Sequence, residues 1–426
     1  MNNSDILIIG AGVAGIEASL LLADTGKKVY LVEKTSLTGG NVIKYEDVFS
    51  NMECSTCMIA PKQQEVLQSE NIELLTLSTV EKVQGEIGDF TVTINKKARY
   101  VSLVDCIGCG MCYDPCPVSL KNEFEQNLSE KKAIYVPCPG SLPNVPAINP
   151  KHCLQLNGKK TCNACVEACA FGAINLSDKD EKIEIKVGAI IVASGFDIVD
   201  PAGFPQFGYG KYPNVYTAME AERLYASNGP TEGEITLRKG DVPPNSIAII
   251  QCVGRELQGY CSSVCCMYSL KLAHYLKHKL PEAKIHNFHS DWCMPGKYYQ
   301  KFHHDVKEEG VDFIYSPVDK IKVDGNDKGL SIEYYNGKNE KEKLSADMVI
   351  LSLAMMQGKD TASLSKLLGI EQDKKGFFMN QGIQLGAVDT SKPGIFLAGC
   401  AEGPKDIQGS ITQAEAVVGK VMSYLS

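Results

Sequence analysis

Two runs of cysteine in the middle of this chain leave little freedom in how that stretch can fold. The first is Cys106-x2-Cys109-x2-Cys112-x3-Cys116-Pro117, and the second is Cys153-x8-Cys162-x2-Cys165-x3-Cys169. A [4Fe–4S] cubane needs four thiolates at tetrahedral corners, and two-cluster ferredoxins send the fourth cysteine of each run to the other cluster. The spacing therefore assigns Cys106, Cys109, Cys112 and Cys169 to one cluster, and Cys153, Cys162, Cys165 and Cys116 to the other; it also admits the opposite pairing of Cys116 and Cys169. Structural zinc calls for paired CxxC knuckles, which the first run is not. A disulfide framework suits small secreted chains, whereas this one has 426 residues and reads without a signal peptide.

The N-terminus imposes a second constraint. An apolar run, Asp5-Ile-Leu-Ile-Ile, leads straight into Gly10-Ala-Gly12-Val-Ala-Gly15 and a helical stretch, and Lys28-Val-Tyr-Leu-Val-Glu33 adds a strand ending in an acid. This is the order of a dinucleotide-binding unit. Gly10 permits the tight turn, Gly12 lets backbone approach the pyrophosphate, Gly15 packs helix on strand, and Glu33 reaches ribose hydroxyls. Lys34 and Val80 are expected on the same wall. Three further segments resemble flavoproteins with two dinucleotide folds and point to FAD: the pair Gly39-Gly40, the strand Gly188-Ala-Ile-Ile-Val-Ala-Ser-Gly195, and Gly394-Ile-Phe-Leu-Ala-Gly399-Cys400. In such proteins an acid stands beside the flavin ribitol where this chain has Cys400. A helix over 408–425, starting at Gln408, would present its N-terminus to negative charge on the reduced ring.

A second nucleotide unit should begin at Ser246-Ile-Ala-Ile-Ile-Gln-Cys252-Val-Gly254, but Arg255 and Glu256 follow where further glycines belong. NAD(P)H thus has no recognisable phosphate cradle there. The segment carries Cys252-x8-Cys261-x3-Cys265-Cys266 instead, a set able to close a third iron–sulfur site at the head of a helix over 267–278. Buried thiols with one redox disulfide are the alternative. Cys54-x2-Cys57, ahead of a helix predicted from near Pro61, reads as a redox dithiol, a metal knuckle completed by another chain, or an inert pair. Cys138, Cys293 and Cys400 stand alone, as small buried apolar groups do. His274 and His278 share a helical face, but without an accompanying H-E-x-x-H glutamate they read as a solvated face. The charged stretch 337–343 reads as a hairpin turn.

Net charge is −8, which argues against a nucleic-acid partner. No apolar run approaches the roughly 20 residues of a membrane span, and seventeen cysteines in a leaderless chain imply a reducing compartment and a cytoplasmic redox protein. Strands predicted at 182–193, 246–251, 284–288, 348–351 and 395–398 alternate with helices, as a parallel sheet demands. The chain divides into a first flavin part (1–98), an inserted two-cluster ferredoxin (99–176), a flavin-domain continuation with linker (177–243), a second Rossmann-like unit without the nucleotide loop (244–345) and a closing flavin part (346–426).

Several longer phrases carry a family resemblance. They are Cys54-Ser-Thr-Cys57 with Pro61-Lys62, Gly208-Tyr-Gly-Lys-Tyr-Pro-Asn214, Gln251-Cys-Val-Gly254, Tyr260-Cys-Ser-Ser-Val-Cys-Cys-Met267 and Leu397-Ala-Gly-Cys-Ala-Glu-Gly-Pro-Lys-Asp406. Together they resemble the A subunits of heterodisulfide reductase over nearly the whole chain. The resemblance implies an α/β fold like thioredoxin reductase, with FAD and an inserted two-cluster ferredoxin. It also favours a [4Fe–4S] site at Cys252, Cys261, Cys265 and Cys266. In its shortness the chain is similar to A subunits of quinone-interacting membrane-bound oxidoreductase complexes. The implied activity is electron transfer, with two-electron flavin chemistry coupled to single electrons for partner redox subunits, which would supply any membrane association. An NAD(P)H-dependent disulfide reductase using Cys54 and Cys57 is the alternative.

Overall fold

The computed structural model describes residues 4–238, 242–326, 329–382 and 386–425. Its frame starts at β1 (Ile6–Ile9), where all four residues are buried. A strand covered on both faces must be apolar without alternation, and parallel sheets sandwiched by helices impose that condition. The first unit continues through α1 (Val13–Asp24), β2 (Val29–Val32), α2 (Ser55–Gln68) and β3 (Ile72–Leu75), and after the cysteine-rich segment resumes at β4 (Ala189–Val192). The second unit comprises β5 (Val215–Thr217), α3 (Ala218–Tyr225), β6 (Ser246–Val253), α4 (Cys265–Lys279), β7 (Lys284–His289), α5 (Tyr299–Glu308), β8 (Asp312–Tyr315) and β9 (Met348–Leu353). The chain then rejoins the first sheet as β10 (Ile395–Leu397) and closes with α6 (Ile407–Leu425).

Strand orders are β10-β4-β1-β2-β3 and β5-β9-β6-β7-β8, with every pairing parallel. Each unit also carries a three-stranded antiparallel layer. One is formed by Ser78–Glu86, Asp89–Lys96 and Glu181–Val187, the other by Lys322–Asn326, Gly329–Tyr335 and Lys341–Ala346. On the first sheet, α1 packs against α6 through Ala14, Ala18, Ala414, Val417 and Val421 on one face. Leu7, Ile9 and Val192 meet Phe90, Val92 and Ile94 of the antiparallel layer on the other. The chain is therefore two similar α/β units, each with its strand ends free to host a ligand.

The cysteine-rich segment leaves the antiparallel layer after Asp89–Lys96 and re-enters at Glu181–Val187, with Glu181 paired opposite Lys96. A bridge between Val101 and Ile174 closes its neck. Its core is Val101, Cys112, Ile134, Val145, Ile148, Ala173 and Ile174, and five more cysteines pack around it. So small an apolar core supplies little stability by itself, so that cross-links among its thiols or contacts with the two units must add the rest. Arg223 of α3, fully buried, ties the segment to the second unit. Its guanidinium donates to both oxygens of Glu125, at 2.8 and 3.1 Å, and to the Lys44 carbonyl at 2.8 Å.

Two expectations about elements need correction. The predicted strand 182–193 is two strands in different sheets, broken at Gly188, whose amide donates to the Asp5 carbonyl and whose carbonyl accepts from Gly88. The helix expected from near Pro61 begins at Ser55, so Pro61 lies inside α2 and withholds the bond that the Cys57 carbonyl would otherwise accept. The hairpin turn expected at 337–343 lies at 336–340, with 341–343 already in the returning strand.

Candidate functional site

A cavity of 1790 Å³ opens at the carboxyl ends of β1, β2 and β4. Gly10 sits at φ +109°, and a Cβ there would lie 2.3 Å from the Ala193 carbonyl oxygen; a Cβ on Gly15 would lie 1.9 Å from the Gly10 carbonyl oxygen. Both glycines are therefore required by close backbone packing behind the cavity. Gly12 and Gly40 face each other across its mouth, where a Cβ on Gly40 would come 3.0 Å from Gly12 Cα. Gly39 fixes that approach by donating its amide to the Ala11 carbonyl at 2.8 Å. Gly12 is the N-cap of α1 and supplies no side chain to the first helical amides, which suits them to a phosphate. Glu33 accepts from the Ala11 amide at 2.9 Å and from Thr35 at 2.8 and 2.9 Å, so its carboxylate is fixed at the rim with lone pairs to spare. The donors and the emptied backbone fit a dinucleotide.

Of the residues singled out in sequence, Gly10, Gly12, Glu33, Gly40, Val80 and Gly195 line this cavity, as do Lys34, Gly399, Cys400 and Gln408. Gly15 and Gly39 support it from behind. Lys34 is paired with Asp360. Cys400 does not mimic the acid it replaces: it is buried, its thiol donates to the Lys405 carbonyl at 3.4 Å, and burial pushes it above the ordinary thiol range. Asp406 caps α6 by accepting from the Gly409 amide at 2.7 Å.

The inserted segment brings its thiols together as the spacing requires. Cys106, Cys109, Cys112 and Cys169 line one small cavity. Cys165 lies among Cys153, Cys116 and Cys162, close enough that their charges raise it; burial contributes most and pushes it to about 11. Burial likewise pushes Cys112 to about 12, with Cys106, Cys165 and Cys109 adding to the shift. Sulfurs this crowded and desolvated hold thiolate charge only if a cation compensates it, and iron does so in a cluster.

A third group occupies the ligand seat of the second sheet. Cys252, next to last in β6, lies in the left-handed region at φ 63°, while Cys265 and Cys266 open α4. Desolvation pushes both helix thiols to about 12, and charges on Cys252 and Cys261 add to each. The Cys293 amide donates to Cys266 Sγ at 3.3 Å, and Arg255, paired with Asp291 at 2.8 Å, donates to Cys252. Three of these thiols thus lie at the strand end and helix start that correspond to the glycine turn of the first unit, with Cys261 in the loop between, and Cys265 also lines the large cavity.

Cys54 and Cys57 lie outside that lining, although Glu53 and Met58 belong to it. Cys54 N-caps α2 by accepting from the Cys57 amide at 3.3 Å. Burial raises the Cys54 thiol, but hydrogen bonds from Cys57 and Thr56 outweigh this and hold it below the usual range. The sequence reading missed Lys271, which lines the cavity and bonds both oxygens of buried Glu222 at 2.8 Å, with Tyr268 donating to the same carboxylate at 2.9 Å. The available signal was a lysine set between Leu270 and Leu272 on a helix otherwise buried at those positions.

Residues 5–45 match the family described as FAD dependent oxidoreductase. The chain is 38% identical over 99% of its length to the A subunit of the ferredoxin/F(420)H(2)-dependent CoB-CoM heterodisulfide reductase of Methanosarcina acetivorans, covering 53% of that protein. It is 38% identical over 97% of its length to the iron-sulfur A subunit of the CoB–CoM heterodisulfide reductase of Methanocaldococcus jannaschii, covering 63%. The chain thus spans between half and two thirds of these relatives. In fold it is similar to thioredoxin reductases of Lactococcus lactis (TM-score 0.54, 14% identity, 99% of each chain) and T. acidophilum (TM-score 0.53, 12% identity, 99% of each chain).

Proposed function

The chain is a relative of the heterodisulfide reductase A subunits along nearly its whole length, and from that kinship we propose that it is an electron-transfer subunit of a heterodisulfide-reductase-like oxidoreductase. FAD would supply conversion between two-electron and one-electron chemistry, and [4Fe–4S] clusters would carry the single electrons. Gly10, Gly12 and Gly40 leave room for the pyrophosphate, and Glu33 takes the ribose. Cys106, Cys109, Cys112 and Cys169 hold one cluster, Cys153, Cys162, Cys165 and Cys116 a second, and Cys252, Cys261, Cys265 and Cys266 a third. One observation carries the reading: Cys265 lies in the wall of the same cavity as Gly10 and Glu33. That shared wall supports a third cluster on the side facing the flavin seat.

Partner redox subunits complete the path. Val104, Ile107, Met111 and Phe171 are exposed around the first thiol group, an apolar surface of the kind that protein partners cover. Among the described residues no helix is long and apolar enough to cross a membrane. We place the chain in the cytoplasm, with any membrane association supplied by partners.

Protein purified without oxygen should contain about one FAD and about twelve iron and twelve sulfide per chain, the content of three cubanes. Iron below about eight per chain would remove the two ferredoxin clusters from the proposal. Cys265→Ser isolates the third site. It should lower iron by about four per chain and delete one paramagnetic species while flavin is retained; unchanged iron would return that quartet to plain buried thiols. Reduction of the flavin by NADPH or NADH in the isolated chain would instead favour the disulfide reductase reading, for which the lowered Cys54 thiol at a helix N-terminus is the supporting observation.

A further inference from the structure

Away from the flavin and cysteine sites, two imidazoles and a carboxylate converge on one point. His274 and His278 lie four residues apart on α4, so they face the same side one turn apart, with ring centroids 4.3 Å from each other. Glu309, at the C-cap of α5, reaches across to them. Its two oxygens lie 2.7 and 2.8 Å from His274 Nδ1, and one lies 3.6 Å from His278 Nε2. One ligand atom from each residue falls within 4.8 Å of the other two. A hydrogen bond to Glu309 accounts for His274. It does not account for His278, which is largely exposed yet turned to the same carboxylate beyond hydrogen-bond reach.

Two imidazole nitrogens and one carboxylate oxygen, with the remaining positions open to solvent, form a donor set suited to zinc and its neighbours. The helical pair comes from one element and the acid from another, so a bound ion would clamp α4 to α5. We propose that His274, His278 and Glu309 bind a divalent transition-metal ion of the Zn2+ type. The site stands independently of the electron-transfer reading. It is well placed to influence the cavity, because Lys271 lies one turn before His274 and Cys265 opens the same helix.

The test uses the full chain purified without oxygen, with flavin and clusters in place so that the cluster cysteines do not compete, Cys54→Ser with Cys57→Ser as the background that removes the free CxxC pair, and Zn2+ alone as the probe. Calorimetric titration should show one Zn2+ bound per chain beyond the iron already present. His278→Ala should weaken that binding by at least roughly tenfold, a floor set by what loss of a mere outer-shell partner costs. His278→Asp, which keeps a donor, should recover part of it, and Glu309→Gln should weaken it without changing the visible spectrum. No uptake by the unaltered chain, or uptake indifferent to His278→Ala and Glu309→Gln, would overturn the proposal.

Discussion

Arg223→Ala should destabilise the fold by about 3–5 kcal/mol, because it strands a buried carboxylate. Arg223 is fully buried and Glu125 nearly so. The guanidinium satisfies both Glu125 oxygens, the Lys44 carbonyl and the Asn228 side chain at 2.9 Å. Removing it leaves a charge in low dielectric without its ion-pair partner, which costs far more than the pair was worth against water. The thermal midpoint should fall by roughly 10 °C, taking about 2–4 °C per kcal/mol for a large domain. A double replacement, Arg223→Met with Glu125→Met, should regain most of the loss, since apolar groups of similar volume substitute for buried pairs at little cost. Exposed Lys97–Asp180, at 2.6 Å, is the control, and breaking it should cost no more than about 1 kcal/mol. Equal effects at the two pairs would mean that the buried one does not fasten the cysteine-rich segment.

Gly15→Ala should leave a folded protein that purifies without its flavin. The new methyl would sit 1.9 Å from the Gly10 carbonyl oxygen, and Gly10 cannot retreat because the Ala193 carbonyl already fills the space behind it. The start of α1 must move instead, at a cost of about 1–3 kcal/mol for overpacking. That shift draws the Gly12 amide and those of the first helical turn away from the proposed pyrophosphate seat. The ratio of FAD to protein should drop by an order of magnitude or more, about 1.4 kcal/mol of binding for each tenfold, with far-ultraviolet dichroism preserved. Gly419→Ala on α6, where a Cβ meets nothing within 4 Å, serves as the neutral comparison.

The thioredoxin-reductase-like fold was legible because its signals are local. An unbroken apolar strand, a glycine turn and an acid each reflect backbone geometry that only a few residue types permit, and they lie within a few dozen positions of one another. The resemblance to the heterodisulfide reductase A subunits was likewise carried by contiguous phrases and is borne out along nearly the whole chain. What escaped the sequence was assembly at a distance. Lys271 meets Glu222 across two helices, Glu309 meets His274 from the next helix, and Arg223 meets Glu125 across 98 positions. No periodicity announces such partners. The break at Gly188 was missed because isoleucine and valine run through both sides of it; the signal lay in the change from a strand with exposed Glu181, Lys182, Glu184 and Lys186 to the wholly buried Ala189–Val192.

Lys96 and Glu181 are rungs of the same ladder, and the segment between them is also seated on both flanks. Arg99 donates to the Ser36 carbonyl and the Thr76 hydroxyl at 2.7 Å, and the Thr38 amide donates to the Leu142 carbonyl at 2.9 Å. Phe124 packs on the core of the first unit, Leu128 on that of the second, and Arg223 holds Glu125. A segment anchored at its root and on two sides has little room to swing as a body. In the proposed electron path, the gaps between redox groups would then be set by the fold of this chain, and a partner would change the throughput by where it docks.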